Sequence, residues 1–381
     1  MAPPRVHADS PQTAVPTRAV EPGRTRRIAV AAPPLPAAAL QRRARVVLYY
    51  KSADADGGLW EEAVWAKEAL SEAVADHPEM AGRLRRRAAD GSWEVKLNDA
   101  GVRFVNATAD AAVEEFLEDE RRRARWEAAL APWADVNAED PDMCALFYLQ
   151  LTRFQGDGGY AVGVSCSLLL CDPLTLARFL LSWARTHAEM KGNNKLACTN
   201  PLMQYALYFQ RPDAIAVRAL AKSIPLDDTP AAGAGADDDS RAAATETTVL
   251  FRARAGGAAK GAPSDHRALA AACVGQATKR LGGAPPLQFS VVVSDGREKM
   301  SIETACTADD GQTGTSSGHG GQYEIAVAPW SELGLEELVL RDSKPVHVSY
   351  SIVTGGGDEG LAVVMPDGAA GNFLVTATVT K

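Results

Sequence analysis

The sequence predicts an α+β protein of two domains built on mixed sheets, and three observations predict it. At 381 residues the chain is longer than the about 100–200 residues usual for one domain. Apolar runs of strand period and of helical period recur in both halves, without the regular alternation that builds a parallel α/β sheet. A small, acidic stretch from Ala231 to Ser240 (AAGAGADDDS) divides those halves.

Composition narrows the function classes. Hydrophobic residues at 46% and charged residues at 23% are those of a folded globular chain. Forty Lys+Arg against 48 Asp+Glu leave a net charge of -8, which gives no general attraction to nucleic acid or anionic lipid. The longest nearly uncharged stretch, Tyr160 to Cys171, stops at Asp172 and Pro173, short of the ~20 apolar residues that span a bilayer. No transmembrane segment is expected, and Met1 to Arg45 lacks the apolar core of a signal peptide. Six cysteines (Cys144, Cys166, Cys171, Cys198, Cys273, Cys306) form no CxxC pair, so reduced thiols are expected, with no metal site and no disulfide framework. Asn106-Ala107-Thr108 reads as a chance match to a glycosylation acceptor.

Residues 1–45 carry eight arginines against Asp9 and Glu21, hence a local +6 on a Pro-rich background, and read as a flexible, solvated arm. A transit peptide is the alternative, but it would hold more serine than Ser10. The first domain, 46–190, opens with a strand at Val46 to Tyr50. A helix from Leu59 to Val74 follows, with Trp60, Val64, Leu70 and Val74 toward one face and Glu61, Glu62, Lys67 and Glu68 covering the rest. His77-Pro78 ends it. Alternation at Trp93, Val95 and Leu97 marks a half-buried strand, with Val102 to Val105 as its expected partner. Ala145 to Phe154 and Tyr160 to Cys166 form a hairpin across Gln155 to Gly159. Asp172 as N-cap and Pro173 at the first helical position then start a helix that runs to about Met190.

A linker over 191–245 leads to the second domain, 246–381. Strands are expected at Thr247 to Arg254, Leu287 to Ser294, Tyr323 to Val327, His347 to Val353, Leu361 to Met365 and Phe373 to Val379. A helix from about Ser264 to Leu281 is capped by Ser264 or Asp265. Residues 307–321 read as a Gly/Ser/Thr loop, and Gly355 to Gly360 as a hairpin turn.

Several segments in order resemble the plant BAHD acyltransferase family: His77 to Leu84 (HPEMAGRL), Leu151 to Ser165 (LTRFQGDGGYAVGVS), Phe179 to Ala184 (FLLSWA) and Ser294 to Arg297 (SDGR). The resemblance implies two chloramphenicol-acetyltransferase-like domains with a channel between them and an HxxxD motif at its centre. The motif's histidine takes a proton from the acceptor as an acyl-CoA thioester is attacked. Aligned on these segments, the motif falls on Ser167 to Pro173, with Leu168 at the histidine position and Asp172 at the structural aspartate. An isobutyl group has no lone pair and no titratable proton, so it cannot act as a general base. The family's second signature, DFGWG, falls on Val339 to Ser343 and is also absent.

Lys344 to Ile352, Gly357 to Gly360 and Val363 to Pro366 are similar to the ending of one branch, the eceriferum/glossy proteins of cuticular wax synthesis. That likeness implies a non-catalytic accessory of very-long-chain fatty acid elongation, partnered by a 3-ketoacyl-CoA synthase at the cytosolic face of the endoplasmic reticulum, with cytosol or nucleus as alternatives. No cofactor is implied, and acyl-CoA is the possible ligand or substrate. The second domain is shortened between SDGR and Tyr323. The alternative reading is a divergent acyl-CoA-dependent acyltransferase acting on a hydroxyl or amine.

Ser167, Leu168 and His347 are the candidate channel lining, with His347 as the conceivable substitute base. Ser264, Asp265 and His266 read as a helix cap rather than a catalytic set. Cys166 and Cys171 read as small buried hydrophobes, since nothing cationic stands beside them in sequence. Gly163 to Ser167 lacks the final glycine of a GxSxG elbow, and Gly355 to Gly357 lacks the lysine of a phosphate loop.

Overall fold

The structure is a computed structural model that describes residues 4–31, 35–51, 59–97, 100–156, 158–193, 222–226, 246–255, 265–283, 286–294, 300–306, 323–356, 360–368 and 371–380. In the first half the strands are β1 (Arg5–Ala8), β2 (Gln12–Ala14), β3 (Thr25–Val30), β4 (Arg43–Tyr50), β5 (Arg83–Arg86), β6 (Trp93–Lys96), β7 (Val102–Ala109), β8 (Phe147–Phe154), β9 (Tyr160–Ser167) and β10 (Lys222–Pro225). The second half adds β11 (Glu246–Ala255), β12 (Gln288–Ser294), β13 (Met300–Cys306), β14 (Tyr323–Val327), β15 (His347–Val353), β16 (Gly360–Pro366) and β17 (Asn372–Thr380). The helices are α1 (Ala37–Gln41), α2 (Leu59–Asp76), α3 (Val113–Glu118), α4 (Glu120–Leu130), α5 (Pro173–Gly192) and α6 (His266–Leu281).

Two mixed sheets carry the α+β fold. One has eight strands in the order β10-β1-β7-β8-β9-β4-β15, with β2 on β7; its β7–β8 pair is parallel and the rest are antiparallel. The other has nine, in the order β14-β11-β17-β16-β12-β13-β3-β6-β5, with β12–β16 and β13–β3 parallel. Neither sheet is drawn from one half of the chain: β15 enters the first, and β3, β5 and β6 enter the second.

Strand alternation decides which layer each residue joins. On β4, Ala44, Val46, Leu48 and Tyr50 face an apolar core shared with α2, α5 and one face of the second sheet, while Val47 and Tyr49 face α3 and α4. On β12 and β16, Val292 and Val363 join the shared core, and Val291, Ala362 and Val364 turn toward α6. The three consecutive valines of β12 are thus used on both faces, as expected of a central strand. Gly163 on β9 has a packing reason. A Cβ there would lie 2.0 Å from the Leu130 carbonyl oxygen, so only glycine lets the end of α4 sit against the strand.

Three expectations are corrected. Residues 5–30 are not a solvated arm but supply β1, β2 and β3, with Val6 and Ala14 fully buried, because their backbone groups complete the ladders of both sheets. Val102 to Val105 does not pair with the strand at Trp93; β7 pairs with β1, β2 and β8, while β6 lies in the other sheet between β3 and β5. On α2 the buried face is Ala63, Ala66, Ala69, Leu70, Ala73 and Val74; Val64 points to solvent at 51% exposure, and Glu62 and Glu68 are buried. Small alanines let α2 approach α5 closely, and Glu62 goes inward because His187 and Lys191 of α5 meet it at 2.8 and 2.7 Å. The segments Ala231 to Ser240 and 307–321, Ser264, Cys198 and Asp295 to Arg297 lie outside the described residues.

Candidate functional site

The segment aligned with HxxxD joins the end of β9 to the start of α5. The turn through Leu168, Leu169 and Leu170 is closed by Ser167: its carbonyl accepts from the Leu170 N–H at 2.9 Å, and its hydroxyl accepts from the Leu169 N–H at 3.1 Å. Asp172 caps α5, its carboxylate accepting from the N–H and the hydroxyl of Thr175, both at 2.8 Å. Both carboxylate oxygens are therefore engaged in holding the helix.

Residues 168–170 are at most 1% exposed, so the turn is core. The Leu168 N–H donates to the Arg42 carbonyl at 3.0 Å, and the Arg42 guanidinium, itself 2% exposed, donates to the Ser290 hydroxyl of β12 at 2.7 Å. From the second sheet, Arg26 of β3 donates to the carbonyls of Leu169 and Leu170 at 2.9 and 2.5 Å. The two sheets are thus riveted together at this turn by two arginines. Burial pulls the Arg26 guanidinium down from its ordinary value, offset in part by the nearby Cys171, Glu79, Cys166 and Asp172.

Cys166 and Cys171 flank the turn with their sulfurs 3.5 Å apart, both buried. The Cys171 thiol is raised well above its ordinary range by the hydrogen bond with Cys166 and by burial. A cation does stand nearby, Arg26, but it arrives from 140 residues away and its effect is the smaller one. The Cys171 thiol is thereby disfavoured as a thiolate.

His347 is not brought to this turn. It pairs with Tyr49 on β4, which pairs with Ala161 on β9, whereas Ser167 pairs with Arg43, six residues along the strand or roughly 20 Å away. His347 belongs to a separate polar group on the edge strand. Its Nε2 lies 3.3 Å from the Ser349 hydroxyl, its ring packs 5.9 Å from Tyr49, and the Tyr49 hydroxyl donates to Glu127 at 3.1 Å. Burial lowers the His347 imidazole and raises the Glu127 carboxyl. His266 is also elsewhere, packed edge-on to Phe373 at 5.4 Å, and Asp265 accepts from the N–H groups of Arg267 and Ala268 as a helix cap.

The segment aligned with DFGWG is a tight turn. Leu340 and Ser343 exchange backbone hydrogen bonds, and Arg341 and Asp342 take φ of 50° and 58°, a left-handed pair that favours glycine. It is fastened to the first sheet by the hydroxyls of Tyr50 and Tyr160, which donate to the carbonyls of Leu338 and Leu340 at 3.1 and 2.9 Å. Arg341 lies 5.7 Å over the Tyr160 ring. Sequence reasoning missed Arg26 and Arg42. The signal for Arg26 was the alternation within Thr25-Arg26-Arg27-Ile28, which puts Arg26 and Ile28 on the same inward side.

The Transferase family model matches residues 48–241, more than half of the chain. The chain belongs to this family. Among its BAHD relatives, a Protein ECERIFERUM 26-like of Arabidopsis thaliana is 36% identical over 116 residues, covering 30% of this chain and 26% of that protein. Agmatine hydroxycinnamoyltransferase 1 of Oryza sativa subsp. japonica is 35% identical over 118 residues, covering 30% and 24%. The chain therefore aligns with about a quarter of the length of these relatives. The crystal structure of vinorine synthase is 18% identical with a TM-score of 0.49, covering 98% of this chain and 94% of that one. No helix among the described residues is long and apolar enough to cross a membrane.

Proposed function

We propose that this family member performs no acyl transfer and instead promotes very-long-chain fatty acid elongation for cuticular wax, beside a 3-ketoacyl-CoA synthase on the cytosolic face of the endoplasmic reticulum. The observation that carries this reading is Leu168, an apolar, fully packed side chain at the position where the resemblance expects the catalytic histidine. Asp172 keeps its structural role, and the stretch from Ser167 to Pro173 serves as a joint between sheets. The similarity to an ECERIFERUM 26-like protein supports the direction of the reading.

A partner that presents an apolar wall beside a condensing site can favour longer chains without chemistry, because each buried CH₂ contributes about 0.8 kcal/mol. Co-expression with a plant condensing enzyme in yeast is expected to lengthen the very-long-chain acyl profile by roughly two carbons or more, the two-carbon step of elongation. An unchanged profile across several condensing enzymes, with the protein folded and abundant, contradicts it. A fluorescent fusion should follow the condensing enzyme and become diffuse in its absence.

The second reading, a divergent acyl-CoA-dependent acyltransferase, is favoured by the hydroxycinnamoyltransferases among the relatives. It requires acyl-CoA as substrate and a base other than residue 168. Loss of a general base typically lowers rate by about 10²- to 10⁴-fold.

A further inference from the structure

A groove of about 360 Å³ runs along the outward side of α5, with residues 337–339 as its opposite wall. It is separate from the N-cap end of the helix, where Leu168 and Asp172 sit. Leu181, Ala184 and Ala188 recur at steps of three to four and form a stripe at the border of the core: Ala184 is buried beside Leu180 and Trp183, Leu181 packs against the same core, and Ala188 is exposed. The two alanines leave space that longer side chains would fill. Across from them Leu338 is buried and Val339 is 40% exposed, so apolar surface meets water in a concave site.

The charges at this groove favour an anion. Arg178 and Arg185 line it two turns apart, about 10 Å along the axis, and both are exposed. Arg185 has no hydrogen bond or ion pair among the described residues. Arg178 makes one long ion pair, 3.7 Å to Asp367. The acid in the lining, Glu337, is already held by Lys344. A guanidinium without a partner beside an apolar trough suits a carboxylate carried on a hydrocarbon chain.

We propose that this groove binds a fatty-acid anion, its tail along Leu181, Ala184 and Val339 and its carboxylate on Arg185. From residue 178 to residue 188 the helix offers about 15 Å, room for roughly a dozen carbons. The site does not depend on the elongation reading, and neither needs the other to hold.

Calorimetry on the full chain with dodecanoate tests it. One equivalent is expected to bind, with decanoate roughly tenfold weaker because two CH₂ groups leave the trough. Leu181→Asp and Arg185→Ala should each weaken dodecanoate by about tenfold or more, and dodecylamine should bind at least about tenfold more weakly than the acid. Arg185 is exposed, so Arg185→Ala should lose binding with an unchanged melting curve; Leu181 packs against the core, so Leu181→Asp is read only where the variant is still folded at the assay temperature. No binding at millimolar dodecanoate, binding that ignores both substitutions, or an amine that binds as well as the acid overturns the proposal.

Discussion

At Leu168 a single apolar side chain carries the proposal that acyl transfer is closed to the protein. Placing a histidine there does not restore a base, since the position is 1% exposed and its backbone N–H is tied to Arg42. An imidazole in that apolar core is expected to cost about 1–3 kcal/mol, read as a lowered denaturation midpoint for Leu168→His, with no thioester hydrolysis gained. Arg26→Met is expected to cost about as much, because it leaves the Leu169 and Leu170 carbonyls buried without a donor. Urea titration of both variants checks this. The resemblance of the flanking segments alone places Leu168 at the motif's histidine position. The arginines' partners were not legible in the sequence, because alternation can turn Arg26 inward but a contact spanning more than a hundred residues leaves no local pattern.

At the scale of elements, α5 is held at both ends by polar groups. Asp172→Ala removes the cap and should cost about 1 kcal/mol, whereas Asp172→Asn, still a good cap, should cost little. Near the other end, burial acts to raise the Glu62 carboxyl, but hydrogen bonds from His187 and Lys191 outweigh it and the net shift is downward. A carboxyl lowered on folding contributes stability that is full above the unfolded carboxylate range and is lost as pH falls through the folded value. Glu62→Gln should therefore flatten the acid limb of the stability profile below about pH 4.5, near the ordinary glutamate value. At neutral pH it should cost about 2 kcal/mol, measured by chemical denaturation across pH. The start, period and cap of α5 were written in Asp172, Pro173 and the spacing of Leu176, Leu180 and Trp183. The face of α2 was misread because the partner that draws Glu62 inward, His187, lies 125 residues on.

For the whole molecule, the two sheets exchange strands between the halves of the chain, so neither half can complete its ladder alone. Expressed separately, residues 46–190 lack β1, β2, β3, β10 and β15, and residues 246–381 lack β3, β5 and β6. Each is expected to be insoluble or unfolded, and circular dichroism of the pieces against the full chain measures it. The α+β class and most strands could be read from apolar runs such as the three consecutive valines Val291 to Val293 and from Phe373 to Val379. Sheet order could not, since β3 beside β13 and β15 beside β4 are choices of tertiary packing. The same strand exchange brings Arg26 on β3 to the Leu168 turn, where Arg42, beside the β4–β9 pair, already meets it. The most direct measurement is CoA release by the purified full chain, supplied with acyl-CoAs from medium to very long chain and with alcohol and amine acceptors. Release at the buffer rate throughout is the expected result. Saturable, acceptor-dependent turnover that falls when His347 is replaced would contradict the absence of acyl-transfer chemistry.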